Sequence, residues 1–167
     1  MALNAYLKLK GQKQGDIKGS VTRKGREGQI LVIAVSHGIL SPRDVASGLP
    51  TGKRMHKPLI ITKELDKSSP LLMNALVNNE NISTFTLDFY QPALAAGTGA
   101  GSETNYYRIQ LVNANIASIE THMDNNTHPD LMRYAPYEQI AFTYQKISWT
   151  FLDGGITSTD NWESGNV

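Results

Sequence analysis

Ile140-Ala141-Phe142-Thr143-Tyr144-Gln145-Lys146-Ile147-Ser148-Trp149-Thr150-Phe151 is the stretch on which the fold turns. Ile140, Phe142 and Tyr144 recur with a period of two, the spacing of a strand with one buried face. At Gln145-Lys146 the phase slips by one residue and resumes as Ile147, Trp149 and Phe151. The same slip follows Tyr107, Ile109 and Leu111, where Ala114 and Ile116 take over the core-facing phase. A slip with no Pro or Gly reads as a bulge, here near Asn113 and at Gln145-Lys146. Long bulged strands bend, and bent strands close sheets into barrels.

The pattern extends outward from there. Leu3, Ala5, Leu7 and Leu9 oppose Asn4, Tyr6, Lys8 and Lys10 in a first half-buried strand, which Gly11 to Asp16 ends. A basic, glycine-punctuated connection over 18–28 leads to Gln29–Val35, an apolar run that reads as a strand covered on both faces. Phe85, Leu87 and Phe89 form another alternating strand. One helix is predicted over 69–78, with Ser69 as N-cap, Pro70 at N1 and Asn78-Asn79 as the stop. Its stripe of Leu71, Leu72, Ala75 and Leu76 should lie on a sheet, with Leu72 and Leu76 as the packing residues. Phe142 and Trp149 are assigned to the core. Gly38–Pro58, with three prolines and three glycines, reads as a structureless loop, and a loop that long is favoured as a binding or assembly arm over a floppy excursion. Two further loops follow the strands, over 93–104 and 122–136. The expected class is mainly β, a closed barrel or tightly packed sandwich with one short accessory α-helix, in a single domain over 1–167.

Composition narrows the function. The 167 residues are 40% apolar and 19% charged, suited to one core. The absence of cysteine removes disulfides, thiol nucleophiles and Cys zinc sites. Net charge is +1, which gives no reason to expect a nucleic-acid partner. The balance conceals a split: residues 1–67 carry 13 Lys/Arg against 5 Asp/Glu, and residues 68–167 carry 3 against 10. Either the subunit is electrically polar and can attract copies of itself head to tail, or the segments interleave and the fields cancel. The longest apolar run, Ile30 to Val35, is too short for the roughly 20 residues of a spanning helix, so no membrane insertion is expected. The N-terminus reads as a strand and not a signal peptide, which implies a cytoplasmic start and export, if any, by a dedicated machine.

No catalytic constellation assembles. Gly48-Leu49-Pro50-Thr51-Gly52-Lys53 has three residues between its glycines where a P-loop needs four, and Arg54 stands where Ser or Thr belongs. Gly97 to Ser102 lacks a basic residue and opens a strand. His37, His56, His122 and His128 are scattered, without metal-ligand spacing. Ser36-His37 has no nucleophile elbow near it. Lys53-Arg54-Met55-His56-Lys57 could touch phosphates, or equally meet acidic loops of a neighbour. We therefore expect no enzyme, no cofactor and no metal. A β-rich domain with large loops and split charge looks more like a building block than a catalyst.

Several blocks of residues resemble the haemolysin-coregulated protein (Hcp) family. They are Ala5-Tyr6-Leu7-Lys8-Leu9, Gln14-Gly15-Asp16-Ile17-Lys18-Gly19-Ser20, Gly25-Arg26-Glu27-Gly28 and Gly52-Lys53-Arg54-Met55-His56-Lys57-Pro58. Lys63-Glu64-Leu65-Asp66-Lys67-Ser68-Ser69-Pro70 and Ile140 through Trp149 complete the set, in order over almost the whole chain. The resemblance implies a tube subunit of a bacterial type VI secretion system, with a fold like that of phage tail-tube proteins. Six copies would form a ring, and rings would stack into a hollow tube inside a contractile sheath, capped by a trimeric spike. The tube would start in the cytoplasm and be ejected from the cell, outside it or into a target, without a signal peptide. The alternative is that the ring serves as carrier and chaperone for small effectors in its lumen. On this reading the ring-stacking contact comprises Asp44, Gly48, Pro50, Lys53 and Arg54 of the arm, meeting the Ala95 to Glu103 loop of the next ring.

Overall fold

The computed structural model describes residues 3–93 and 102–163. Among them are thirteen strands and one helix. The large sheet takes β1 (Ala5–Gly11), β2 (Gly15–Ile17), β3 (Ile30–Val32), β8 (Ile82–Pro92), β9 (Glu103–Val112), β12 (Lys146–Phe151) and β13 (Ile156–Asn161), in the order β13-β12-β9-β8-β1-β2 with β3 also on β1. The small sheet takes β4 (Ala34–Ser36), β7 (Leu59–Glu64), β10 (Asn115–His122) and β11 (Tyr137–Thr143), in the order β10-β11-β7-β4. A two-stranded ribbon, β5 (Ile39–Leu40) with β6 (Met55–His56), stands apart. Neither sheet closes on itself, so of the two expected forms it is the tightly packed sandwich that describes the molecule.

The core lies between the sheets. Leu7, Leu9, Phe85, Leu87, Leu111 and Ile147 face Leu59, Ile61, Ile116, Ile140 and Phe142, all buried. The Phe85 and Phe142 rings meet edge to face at 4.9 Å, a geometry the ring quadrupoles favour. Each fully buried side chain of this size contributes roughly 1.5–3 kcal/mol. Trp149 is half-buried and packs on the core's margin.

The two phase slips are not bulges. At Asn113, whose φ of 49° turns the chain, β9 of the large sheet gives way to β10 of the small one. At Tyr144-Gln145, β11 of the small sheet gives way to β12 of the large one. The core lies on opposite sides of the two facing sheets, so a chain that changes sheet must invert which residues point inward. The register shifts that do occur fall elsewhere, at Lys10/Gly11, Phe89/Tyr90 and Ile116/Ser118. Gln29–Val35 is corrected in the same way. It is two strands on two sheets, β3 and β4, with Leu31 and Ile33 exposed, so only one face is covered.

The helix α1 spans Ser68–Val77, one residue earlier than expected. Ser69 is not its cap: the Asp66 carboxylate accepts the Ser68 N–H at 2.9 Å while the Ser69 hydroxyl accepts the Asp66 N–H. Pro70 still falls in the first turn, where its missing N–H costs nothing. Leu72 and Ala75 are buried and Leu76 partly so, against β10 and β2. Asn79, at φ 50°, ends the helix while the Glu80 N–H reaches Ala75 O and the Asn79 N–H reaches Leu76 O, a Schellman closure. Lys63 is fully buried beside the helix start, its ammonium donating to Glu138 (2.7 Å), Ser69 Oγ (3.0 Å) and the Glu64 carbonyl (2.9 Å), with Asp66 at 2.9 Å.

Candidate functional site

The 38–58 segment is not structureless. It continues the antiparallel pair β4–β7 beyond the end of the sandwich: Ser36 pairs with Ile60, the Lys57 N–H donates to Gly38 O, and Ile39 and Leu40 pair with His56 and Met55. An isolated bridge joins Arg43 to Pro50 further out. Its prolines and glycines bend this arm without dissolving it, because the donors that remain still pair across the ribbon.

Asp44 shapes the tip. Its Oδ1 accepts from Ala46 N–H (3.1 Å), Ser47 N–H (2.6 Å) and the Ser47 hydroxyl (2.7 Å), which hold its carboxyl below the usual range. Gly48 closes the turn at φ 71°, a conformation that disfavours any side chain. Two apolar side chains remain outward here, Val45 at 103% and Leu49 at 65% exposure. Pro50 and Lys53 are exposed as well.

A hydrogen-bonded chain of polar side chains anchors the root of the arm. Arg54 pairs with both carboxylate oxygens of Asp160 on β13 and donates to Asn161 O. His56 is buried and stacks on Trp162 at 5.5 Å. Asp160 is held below the ordinary carboxylate range by the hydrogen bond from Arg54, with help from His56, against the opposing effect of burial. The ionised carboxylate can only accept, so His56 Nε2–H donates to it at 2.9 Å. The Tyr144 hydroxyl then shares hydrogen bonds with His56 Nδ1 at 2.9 Å and His37 Nε2 at 2.7 Å. Burial pushes the Tyr144 phenol well above its usual range, with Asp160 adding to it, so the hydroxyl keeps its proton. Burial, and then the neighbouring His56, lowers His37, which favours its neutral form.

The site residues expected from sequence are thus only partly brought together. Asp44, Gly48, Pro50 and Lys53 share the arm, whereas Arg54 turns back into its own chain. Glu103 sits at the opposite end of the sandwich, paired with Arg26 (2.6 Å) and Arg23 (3.1 Å); the hydrogen bond from Arg26 leads in holding its carboxyl low. Arg26 itself lies over the Tyr90 and Tyr6 rings, at 3.6 and 4.8 Å. Ala95 lies outside the described residues. Among the described residues no group of three or more His, Asp or Glu is placed to hold a metal ion, and no helix is long and apolar enough to cross a membrane. The root network joins residues about a hundred positions apart, and nothing in the local sequence of Tyr144 or Asp160 signals it.

Residues 6–151 match a family model described as type VI secretion system effector, Hcp. The chain is 36% identical over 173 residues to the major exported protein of Pseudomonas aeruginosa, covering 98% of each. Among solved structures it is similar to Hcp1 of E. coli EAEC 042, at 34% identity and TM-score 0.83, over 96% of this chain and 99% of that one. It is also similar to the secreted protein Hcp3 of Pseudomonas aeruginosa, at 30% identity and TM-score 0.77, over 98% and 100%.

Proposed function

The chain belongs to the Hcp family of type VI secretion proteins, a family of secreted structural proteins and not of enzymes, and from that premise we propose that it acts as a tube subunit. Six copies close into a ring, rings stack into a hollow tube, and the tube is ejected with its spike from within a contractile sheath. The whole of 1–167 serves as one such unit, cytoplasmic until firing. Ring closure requires a heterologous contact, one patch on each copy meeting a different patch on the next. Each lateral contact should bury at least about 1,000 Å² to be specific. The sheet edges at β13 and β10 and the exposed helix flank of Leu71, Met73 and Val77 suit that role.

The observation that carries the stacking part is the arm, a paired ribbon leaving one end of the sandwich with an apolar tip. Lys53, like Arg43, is an exposed cation of the arm, while Arg54 serves the root. Lys53→Glu should therefore weaken stacking and leave rings intact in sedimentation; loss of the rings themselves would refute this assignment. Native mass spectrometry should find six copies, and a clean monomer would refute the reading as a whole.

The carrier reading draws support from the outer face of the large sheet, where Thr86, Gln110, Ser148 and Thr159 align in one polar row that ends at Lys8. Co-purification of small effectors with rings would distinguish a carrier from a bare tube.

A further inference from the structure

Strand β7 connects two unlike ends of the molecule. Its first residue, Leu59, pairs with Phe142 beside the arm root, and its last, Glu64, pairs with Tyr137 at the other end. Five residue steps of about 3.3 Å each separate them. At the Glu64 end two clefts of about 380 and about 230 Å³ share Ile33 and Glu64 as a common wall. Leu31, Leu65 and Tyr134 line them, and all are substantially exposed, as is Ile33 at 54%. Apolar surface gathered in a cleft marks a candidate contact site.

We propose that these joined clefts are the socket for the arm tip of a second copy, so that Val45 and Leu49 of one subunit seat against Leu31, Ile33 and Leu65 of the next. The proposal rests on the stacking reading above and adds the receiving surface to it. Three observations carry it. First, tip and socket are both exposed and apolar, the tip reached through the arm root beside Leu59 and the socket lying at the Glu64 end of β7. Second, their charges are complementary. The arm offers Arg43 and Lys53, its Asp44 being occupied by its own turn. The socket offers Glu64 and Asp124, and behind them the carboxylates of Asp66 and Glu138 outnumber the single Lys63. Arg23 on the socket wall is paired with Glu103. Third, tip and socket are different patches of one subunit, so the contact is heterologous and carries from copy to copy, and the length of the linked ladder separates a column from a ring. Glu103, the acceptor suggested by sequence, is engaged with its own arginines, which leaves this socket as the better acidic surface.

A chain without cysteine allows a direct test. Val45→Cys combined with Leu65→Cys places one thiol on the tip and one in the socket, both at exposed positions that folding does not need. Under mild oxidation the double variant should give a covalent ladder extending past six chains on non-reducing denaturing gels. Either single variant should stop at dimers and give at least tenfold less linked material. A ladder that ends at six would make the contact lateral and overturn the socket, as would the absence of links. Val45→Asp separates this failure from failure of the underlying reading. If it abolishes stacked rings while the double cysteine does not link, the arm stacks but its socket lies elsewhere. If stacks persist with Val45→Asp, the arm is not the stacking element and both readings fall.

Discussion

Two clusters of polar side chains hold the two ends of β7, and they are built on different terms. At the Glu64 end the ammonium of Lys63 is wholly buried, and every partner it has lies inside the sandwich or under the helix start. At the arm end the chain of hydrogen bonds begins at buried His56 but leads out through Asp160 to Arg54 at the rim. A charge sealed from water must be matched or the fold fails, because desolvation is not recovered. A network that reaches solvent has an alternative partner in water, so losing a member loosens a pose more than it breaks a fold. The first cluster therefore belongs to stability and the second to the direction in which the arm points.

The sharpest way to break this contrast is at Glu138. Glu138→Leu leaves the Lys63 ammonium without its buried carboxylate and should cost roughly 3–5 kcal/mol in denaturant unfolding. Adding Lys63→Met should restore most of that loss; a double variant as unstable as the single one would mean the cluster is not sealed. His56→Ala should cost less, about 1–3 kcal/mol, through the lost hydrogen bonds to Tyr144 and Asp160 and the lost stacking on Trp162. Its larger consequence should be a severalfold faster tryptic cleavage at Lys53 or Arg54, with the sandwich intact. Equal protection of the arm in both proteins would separate the network from the arm's pose.

Acid should affect the two clusters in different windows. His37 has a folded pKa below its unfolded value of about 6.5, so the unfolded chain takes up the proton first. Its contribution to stability is complete above about pH 6.5 and is lost as the pH falls below that. Asp66 is opposed by burial but held low on balance by the hydrogen bonds from Ser68 and Lys63. The stability it contributes is present above about pH 4 and lost only as the pH falls through its lowered value. Between about pH 7.5 and about pH 5.5 the unfolding midpoint should thus fall through His37, and His37→Phe should flatten that limb while sparing the acid limb. An unchanged slope in the variant would assign the titration elsewhere.

Much of the fold could be read in the chain because local patterns carry it. The helix was legible from Leu71, Leu72, Ala75 and Leu76, although its cap moved by one turn position because Asp66, outside the apolar stripe, reaches the Ser68 N–H. The slips at Asn113 and Gln145 were legible as events, but one residue of phase change is the same in a bulge as in a passage between sheets. β13 escaped notice because Ile156–Asn161 has only one large apolar residue and sits at a sheet edge, with little to bury. The arm was visible as a run of prolines and glycines; its paired character was not, since ribbon pairing depends on Gly38 meeting Lys57 across the loop.

Residue order alone settled the β-rich class, the helix built on the Leu71–Leu76 stripe and the likeness to a secretion family. These depend on side-chain period, composition and short motifs, which survive in one dimension. Folding in three dimensions settled that the sheets stay open, that Arg54 serves its own subunit while Lys53 faces outward, and that His37, Tyr144, His56 and Asp160 form one chain of hydrogen bonds. Such pairings act over a few ångströms between residues about a hundred positions apart, a distance along the chain at which local pattern carries no information about contact.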